Sequence, residues 1–468
     1  MMKEIYYRKM LTIDDLALTP VYFILILMIA YFIRNLIVGN DEQIKKYFIP
    51  GLIFKLFGSI AVGIIYFFYY NGGDTTEYYN NALVMYGALS DDPVIFFKLL
   101  VYSYEDMDPS VFDYKGWLYF RRDPSSFFFG QITGFFSVFG LSVYTPTALL
   151  IAAFSYIGIW CLFMTFYRIY PDLHKEFAIA VLFIPSVIFW GSGILKDCFT
   201  LSSAGLCVYS FYNIFIARKR KIANLIILAL ATFVCLKLKP YIIIALFPGL
   251  FFWAILIYRS RIESPFIKFL AGPVAIVLAG LAGYLAVNKL GNEFSKYSIS
   301  GVLQTAEIYQ DWHTILAEAG SASGYSLGTI DGSTRSIITK IPAAINVTLF
   351  RPYIFEVRNP VMLLSAVESM FLLIFTIRIL WKTGVRITLR ATFNNPTAFF
   401  CFFYALFFAF CVGFTAYNFG ALVRYKIPCI PFYLAGLYIL NKQTIIELNR
   451  NKKTNSPGNF SPETQLNS

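Results

Sequence analysis

The sequence predicts an all-α multispan membrane protein, on three observations. Apolar residues make up 58% of the 468 residues, charged residues only 14%, and mean hydropathy is +0.62; a water-soluble globule of this length carries about 25% charged residues. Apolar runs of the roughly 17–25 residues needed to cross a bilayer recur along the chain. The 49 Phe and 33 Tyr suit lipid-facing and interfacial positions, where aromatic rings concentrate.

Eleven spans are expected, at 17–38, 49–70, 143–166, 176–193, 198–216, 222–237, 241–258, 267–288, 361–381, 397–416 and 425–441. Lys and Arg in short loops set their direction. These are Lys45 and Lys46; Arg168 and Lys175; Arg218, Lys219, Arg220 and Lys221; Arg259, Arg261 and Lys268; Lys382, Arg386 and Arg390. With all five loops cytoplasmic, the N-terminus lies outside and the C-terminus inside. This topology also absorbs much of the formal charge of +12, so no nucleic-acid partner is expected. The segment 125–140 is short and holds Gly130, Gly134 and Gly140. Crossing there would put a basic loop on the wrong face, so it is read as an amphipathic helix in the outer interface. The first span has too long an apolar core for a cleavable signal peptide.

The chain divides into an extra N-terminal span and loop (1–47), a transmembrane module (48–288), an outer loop (289–360), C-terminal spans (361–441) and a polar, disordered cytoplasmic tail (442–468). The outer loops 71–142 and 289–360 exceed the length of plain connections. The first is acidic, with an interfacial helix expected at 93–104; the second has helical patterns at 298–318 and 334–349 around the Gly/Ser-rich stretch 320–333, read as a mobile lid. No internal repeat is evident, against an inverted-repeat transporter. The seven Cys form no CxxC motif, and His174 and His313 fall on opposite faces; neither a disulfide framework nor a zinc site is expected.

Charge gathers at the outer ends of the spans, where a passive anchor stays neutral. Asp74 follows Gly72 and Gly73, whose turn holds the carboxylate at the mouth of the second span. There it is placed to act as a general base, with Tyr78 and Tyr79 as rings to hold a sugar, or else it is a solvated turn residue. Trp190, Lys196 and Asp197 close the segment PSVIFWGSGILKD. Asp197 either orients an acceptor or neutralises its neighbour, and Trp190 is a third sugar-binding candidate. Lys196, Lys237, Lys239, Arg351, Arg424 and Lys426 are outer cations suited to a lipid-borne phosphate, or to anionic headgroups and nearby acids. Glu368 inside a span is read as functional or as the partner of Arg378.

With Asp74 in the first large outer loop, interfacial helices inside that loop and Asp197 in PSVIFWGSGILKD, residues 48–260 resemble the GT-C superfamily of polyprenyl-phosphate-sugar-dependent glycosyltransferases. The resemblance implies a glycosyltransferase of a bacterial inner membrane with Asp74 as base and Asp197 in a supporting role; with one base and no nucleophile pair the transfer is read as inverting, with Glu77 as a further acid and the cations on the donor phosphate. A polyprenyl-linked sugar donor, a glycan or lipid-linked acceptor and membrane lipids are the implied partners. Many members carry adjacent carboxylates; here Asp74 is followed by Glu77, which leaves use of a divalent metal open and implies no other cofactor. Two alternatives stand beside this: an oligosaccharide repeat-unit polymerase, and a transporter or flippase for a lipid-linked sugar.

Overall fold

A computed structural model describes residues 11–39, 41–106, 108–121, 123–259, 263–264, 266, 324–328 and 334–454. The expected span 267–288, the helical pattern 298–318, His313 and residues 455–468 lie outside them. The described residues form helices joined by turns and hold no strand, with an isolated bridge between Gly324 and Asn418. Among the described residues eight helices are long and apolar enough to cross a membrane: Ile13–Val38, Glu42–Tyr69, Tyr144–Ile169, Lys196–Ile216, Lys221–Leu238, Pro240–Arg259, Pro360–Thr383 and Pro396–Thr415.

In chain order, α1 (Ile13–Val38) packs on α2 (Glu42–Ile64), which continues through a π-helical turn, Ile65–Tyr69. Helices α3 (Asp74–Asp91), α4 (Pro93–Val101), α5 (Phe112–Lys115) and α6 (Pro124–Phe139) form a cap around Val84, Met85, Leu99, Tyr114 and Phe127. The helices expected at 93–104 and 125–140 thus both form, and both are packed into this cap. Helix α7 (Tyr144–Ile169) then runs against α10 (Lys196–Phe211), where Gly158 and Gly205 bring the two backbones together. A Cβ on Gly158 would meet the Ser202 carbonyl oxygen at 2.1 Å, and one on Gly205 the Gly158 carbonyl at 2.2 Å. Small residues at such crossings permit the close approach that packs helices in lipid.

Between them the expected span 176–193 is broken into α8 (His174–Leu182) and α9 (Pro185–Trp190). Pro185 lacks an N–H and its ring clashes with a helical residue before it, so the chain restarts there. A broken helix inside an apolar bundle needs partners for its freed backbone groups. Glu368 supplies them at the N-terminal end, accepting from the Ser186 N–H at 2.9 Å and the Ser186 hydroxyl at 2.6 Å. Lys55 supplies them at the other, donating to the Gly191 carbonyl oxygen at 2.5 Å. A carboxylate at the N-terminus and an ammonium at the C-terminus also match the signs of the helix dipole. Glu368 therefore hydrogen-bonds to Ser186, where the sequence had offered Arg378 as its partner.

The remaining helices are α11 (Lys221–Leu238), α12 (Pro240–Arg259), α13 (Thr334–Phe350), α14 (Pro360–Thr383), α15 (Val385–Asn394), α16 (Pro396–Thr415), the short α17 (Phe419–Tyr425) and α18 (Ile430–Thr454). Helix α13 docks along α16, where the Thr348 hydroxyl donates to the Ala409 carbonyl at 2.7 Å. The first turns of α18 are central, with Ile430, Phe432, Leu434, Leu437 and Leu440 buried. Pro431 falls in its first turn, where a missing N–H leaves no intrahelical bond unmade. The helix runs past Asn441, where the sequence reading began a disordered tail.

The basic loops at 45–46, 168–175, 218–221 and 382–395 meet at one end of the bundle. Tyr47 bonds His174 at 2.8 Å, Tyr170 bonds Asn395 at 3.0 Å, Arg168 reaches Asn213 at 3.3 Å and Lys442 pairs with Asp172 at 2.7 Å. His174 is buried there rather than at the surface. Asp74, Lys196, Lys239 and Arg424 lie at the opposite end.

Candidate functional site

The site begins with the turn that the glycines make possible. Asn71, Gly72 and Gly73 have φ of 53°, 120° and 133°, and the Gly72 N–H returns to the Tyr66 carbonyl at 2.8 Å. A side chain at Gly73 would be strained by its φ and would touch the Tyr66 ring at 3.0 Å. The chain then enters α3 at Asp74, in the first helical turn, where the dipole favours a carboxylate.

Arg424, on α17, joins two acids. Its Nη1 donates to Asp74 Oδ2 at 2.6 Å and its Nε to Asp197 Oδ2 at 2.5 Å. The other Asp197 oxygen accepts from Lys239 Nζ at 2.5 Å. The Asp197 side chain is fully buried, those of Lys239 and Arg424 are 10–11% exposed, and Asp74 is 46% exposed. A buried carboxylate thus anchors two cations, and one of these presents an acid to solvent. Lys239 lies over the Tyr425 ring at 4.7 Å. Tyr66, on the π-helical turn, lies within electrostatic reach of Arg424, Asp74 and Asp197; such turns are frequent at functional sites.

Lys196 extends the cluster. It pairs with Asp123 at 3.2 Å, donates to the Ser125 hydroxyl at 2.9 Å and lies 5.9 Å from the centre of the Tyr78 ring. Burial pushes the Asp123 carboxyl up, but the Ser126 hydroxyl and the Lys196 ammonium outweigh it and hold it below the usual carboxylate range. Lys196 interacts electrostatically with Asp74 and Arg424, and Lys239 with Lys196 and Arg424. Three cations and three carboxylates therefore share one end of the bundle.

The other predicted residues divide. Lys426 is fully buried beside this site, donating to the Ser369 hydroxyl at 2.7 Å and the Arg351 carbonyl at 3.2 Å. Arg351 pairs with Glu356 and lies against Phe419 at 5.0 Å and Tyr325 at 5.9 Å. Both serve a neighbouring network that ties α13 to α14 and α17. Lys237 is exposed, with its ammonium 6.0 Å from the Phe233 ring, and stands apart from the cluster. Tyr79 is buried, with its hydroxyl donating to the Ser142 carbonyl at 2.6 Å, and Tyr78 packs on Phe120 and Phe129; these rings are core. Trp190 packs edge-on to Tyr66. Glu77 is half-buried, one turn along α3 from Asp74, and Asn80 donates to it at 3.5 Å. Among the described residues no three His, Cys, Asp or Glu come together as a metal-holding group.

Part of the expected lid is fixed. Tyr325 is buried, stacked on Tyr417 at 5.7 Å, and its hydroxyl donates to the Gly413 carbonyl at 2.9 Å.

Sequence reasoning missed Asp123, Tyr66 and Lys55. Lys55 carried a signal, a lone charge midway along an apolar run; Asp123 and Tyr66 join the site only through tertiary contact. No protein family, curated protein or solved structure matches the chain.

Proposed function

We propose that this chain is an inverting membrane glycosyltransferase that moves a sugar from a polyprenyl-linked donor to a glycan or lipid-linked acceptor at the outer face of a bacterial inner membrane. Its eleven spans leave the N-terminus outside and the C-terminus in the cytoplasm, and the gathering of basic loops at the end away from Asp74 supports that orientation. The observation that carries the reading is the half-exposed Asp74 held by Arg424, which is itself anchored on buried Asp197.

In the reaction Asp74 takes the proton of an acceptor hydroxyl. The oxygen attacks the anomeric carbon as the bond to the lipid phosphate breaks, and the electron pair leaves with that phosphate. Arg424, Lys239 and Lys196 stabilise the charge that develops there.

A repeat-unit polymerase is the second reading, favoured by an arginine at the centre of the cluster. Mass analysis of cell-surface glycan from a deletion strain tests both. A truncated repeat unit is expected for the transferase, intact but unpolymerised units would establish the polymerase, and unchanged glycan would contradict both.

A further inference from the structure

We propose that Asp74 and Asp123 occupy the seats of the ligand's phosphate oxygens, so that the ligand-free site is filled by its own carboxylates and the ligand must displace them. The inference rests on the reading that the ligand carries a phosphate or diphosphate. Of the three acids in the cluster, Asp197 is fully buried and binds both Arg424 and Lys239, so it cannot leave without stranding two buried cations. Asp74 and Asp123 differ: their side chains are 46% and 53% exposed, each paired with one cation that is itself 11–13% exposed. In each pair the carboxylate is the more exposed partner and the cation the more buried one. A phosphate oxygen, like a carboxylate oxygen, accepts a charge-assisted hydrogen bond from a guanidinium or an ammonium, and Arg424 gives Asp74 one such bond while Lys196 pairs with Asp123. In the proposed exchange one phosphate of a diphosphate takes the place of Asp74 on Arg424 and the other that of Asp123 on Lys196.

The exchange ties chemistry to binding. While Arg424 holds Asp74 Oδ2, that oxygen is committed as a hydrogen-bond acceptor. Once a phosphate oxygen takes the Arg424 N–H, Asp74 is released beside the bound donor and free to accept the acceptor's hydroxyl proton. An empty site thus keeps its base occupied.

The test is affinity in detergent micelles for two probes, a short prenyl diphosphate and inorganic pyrophosphate. It uses Asp123→Asn and Asp74→Asn, with Asp108→Asn as the control. Asn retains the helix-capping role of Asp123. Asp108 lies at the same end but pairs with Lys98, so its neutralisation corrects for net charge. The expected result is prenyl diphosphate bound roughly two- to fivefold more tightly by each site variant, from removal of a half-exposed competing ion pair, with Asp108→Asn unchanged. Equal tightening for inorganic pyrophosphate also supports the two seats and shows that the phosphates alone are read. Tightening for pyrophosphate only would overturn a lipid-borne ligand. Unchanged or weaker binding of both probes, or equal tightening by Asp108→Asn, would overturn the inference. Tighter binding by Asp123→Asn without sugar transfer from any polyprenyl donor would leave the seats standing and remove the transferase reading.

Discussion

Asp197 receives the Arg424 Nε–H at 2.5 Å across 227 residues of sequence, fixing α17 onto the start of α10. Because Asp197 is fully buried and also holds Lys239, its loss strands two cations in an apolar setting. Asp197→Ala is expected to lower stability by about 3–5 kcal/mol, whereas Asp74→Asn, which breaks a half-exposed pair, changes it by less than about 1 kcal/mol. Thermal unfolding of the purified variants in detergent measures the difference; equal losses would show that Asp197 is not the anchor.

Lys239→Gln and Lys237→Gln separate two lysines that the sequence treats alike. The first loses a charge-assisted contact inside the cluster and is expected to weaken donor binding by about tenfold. The second leaves it unchanged, because Lys237 points away beside Phe233. Apparent donor affinity in a transfer assay reports both, and matched losses would contradict a defined phosphate site.

Why the sequence did not separate them is a matter of where the helix ends. Lys237 stands in the last turn of α11 and is exposed, whereas Lys239 is the residue just past Leu238, with φ −148° and ψ 80°, and pairs with Asp197. Adjacent Tyr78 and Tyr79 look like a sugar platform in the sequence, but one turn into α3 both are buried in the core. What was legible was local. Gly72 and Gly73 announced the bend before Asp74, and charges at span ends announced that one end of the bundle was polar. The pairing of Asp197 with Arg424, or Lys196 with Asp123, depends on which distant elements meet. The break at Pro185 was written in the sequence but masked by the apolar run around it.

Gly73→Ala tests the turn itself. At φ 133° and 3.0 Å from the Tyr66 ring, a methyl group shifts the start of α3 and with it Asp74. Strain of this kind is on the order of 1–3 kcal/mol, small beside the whole bundle. Transfer is expected to fall by at least about tenfold, since small misplacements of a reacting group are costly, while the protein still folds. Full activity in a folded variant would show that the turn does not position the carboxylate.

Lys55→Met removes the ammonium that satisfies the Gly191 carbonyl. The unsatisfied buried group is expected to cost about 1–3 kcal/mol and to loosen the turn between α9 and α10. Hydrogen exchange across 185–197 should accelerate relative to the rest of the bundle. Unaltered exchange would mean that the broken helix is held by packing alone.

The central claim is that Asp74 is the base of the site, and it is tested most directly by sugar transfer in membranes that contain Asp74→Asn at the wild-type level and are supplied with polyprenyl-linked sugar. Transfer at background, with donor binding retained, is the predicted result. Turnover at the wild-type rate would contradict the account.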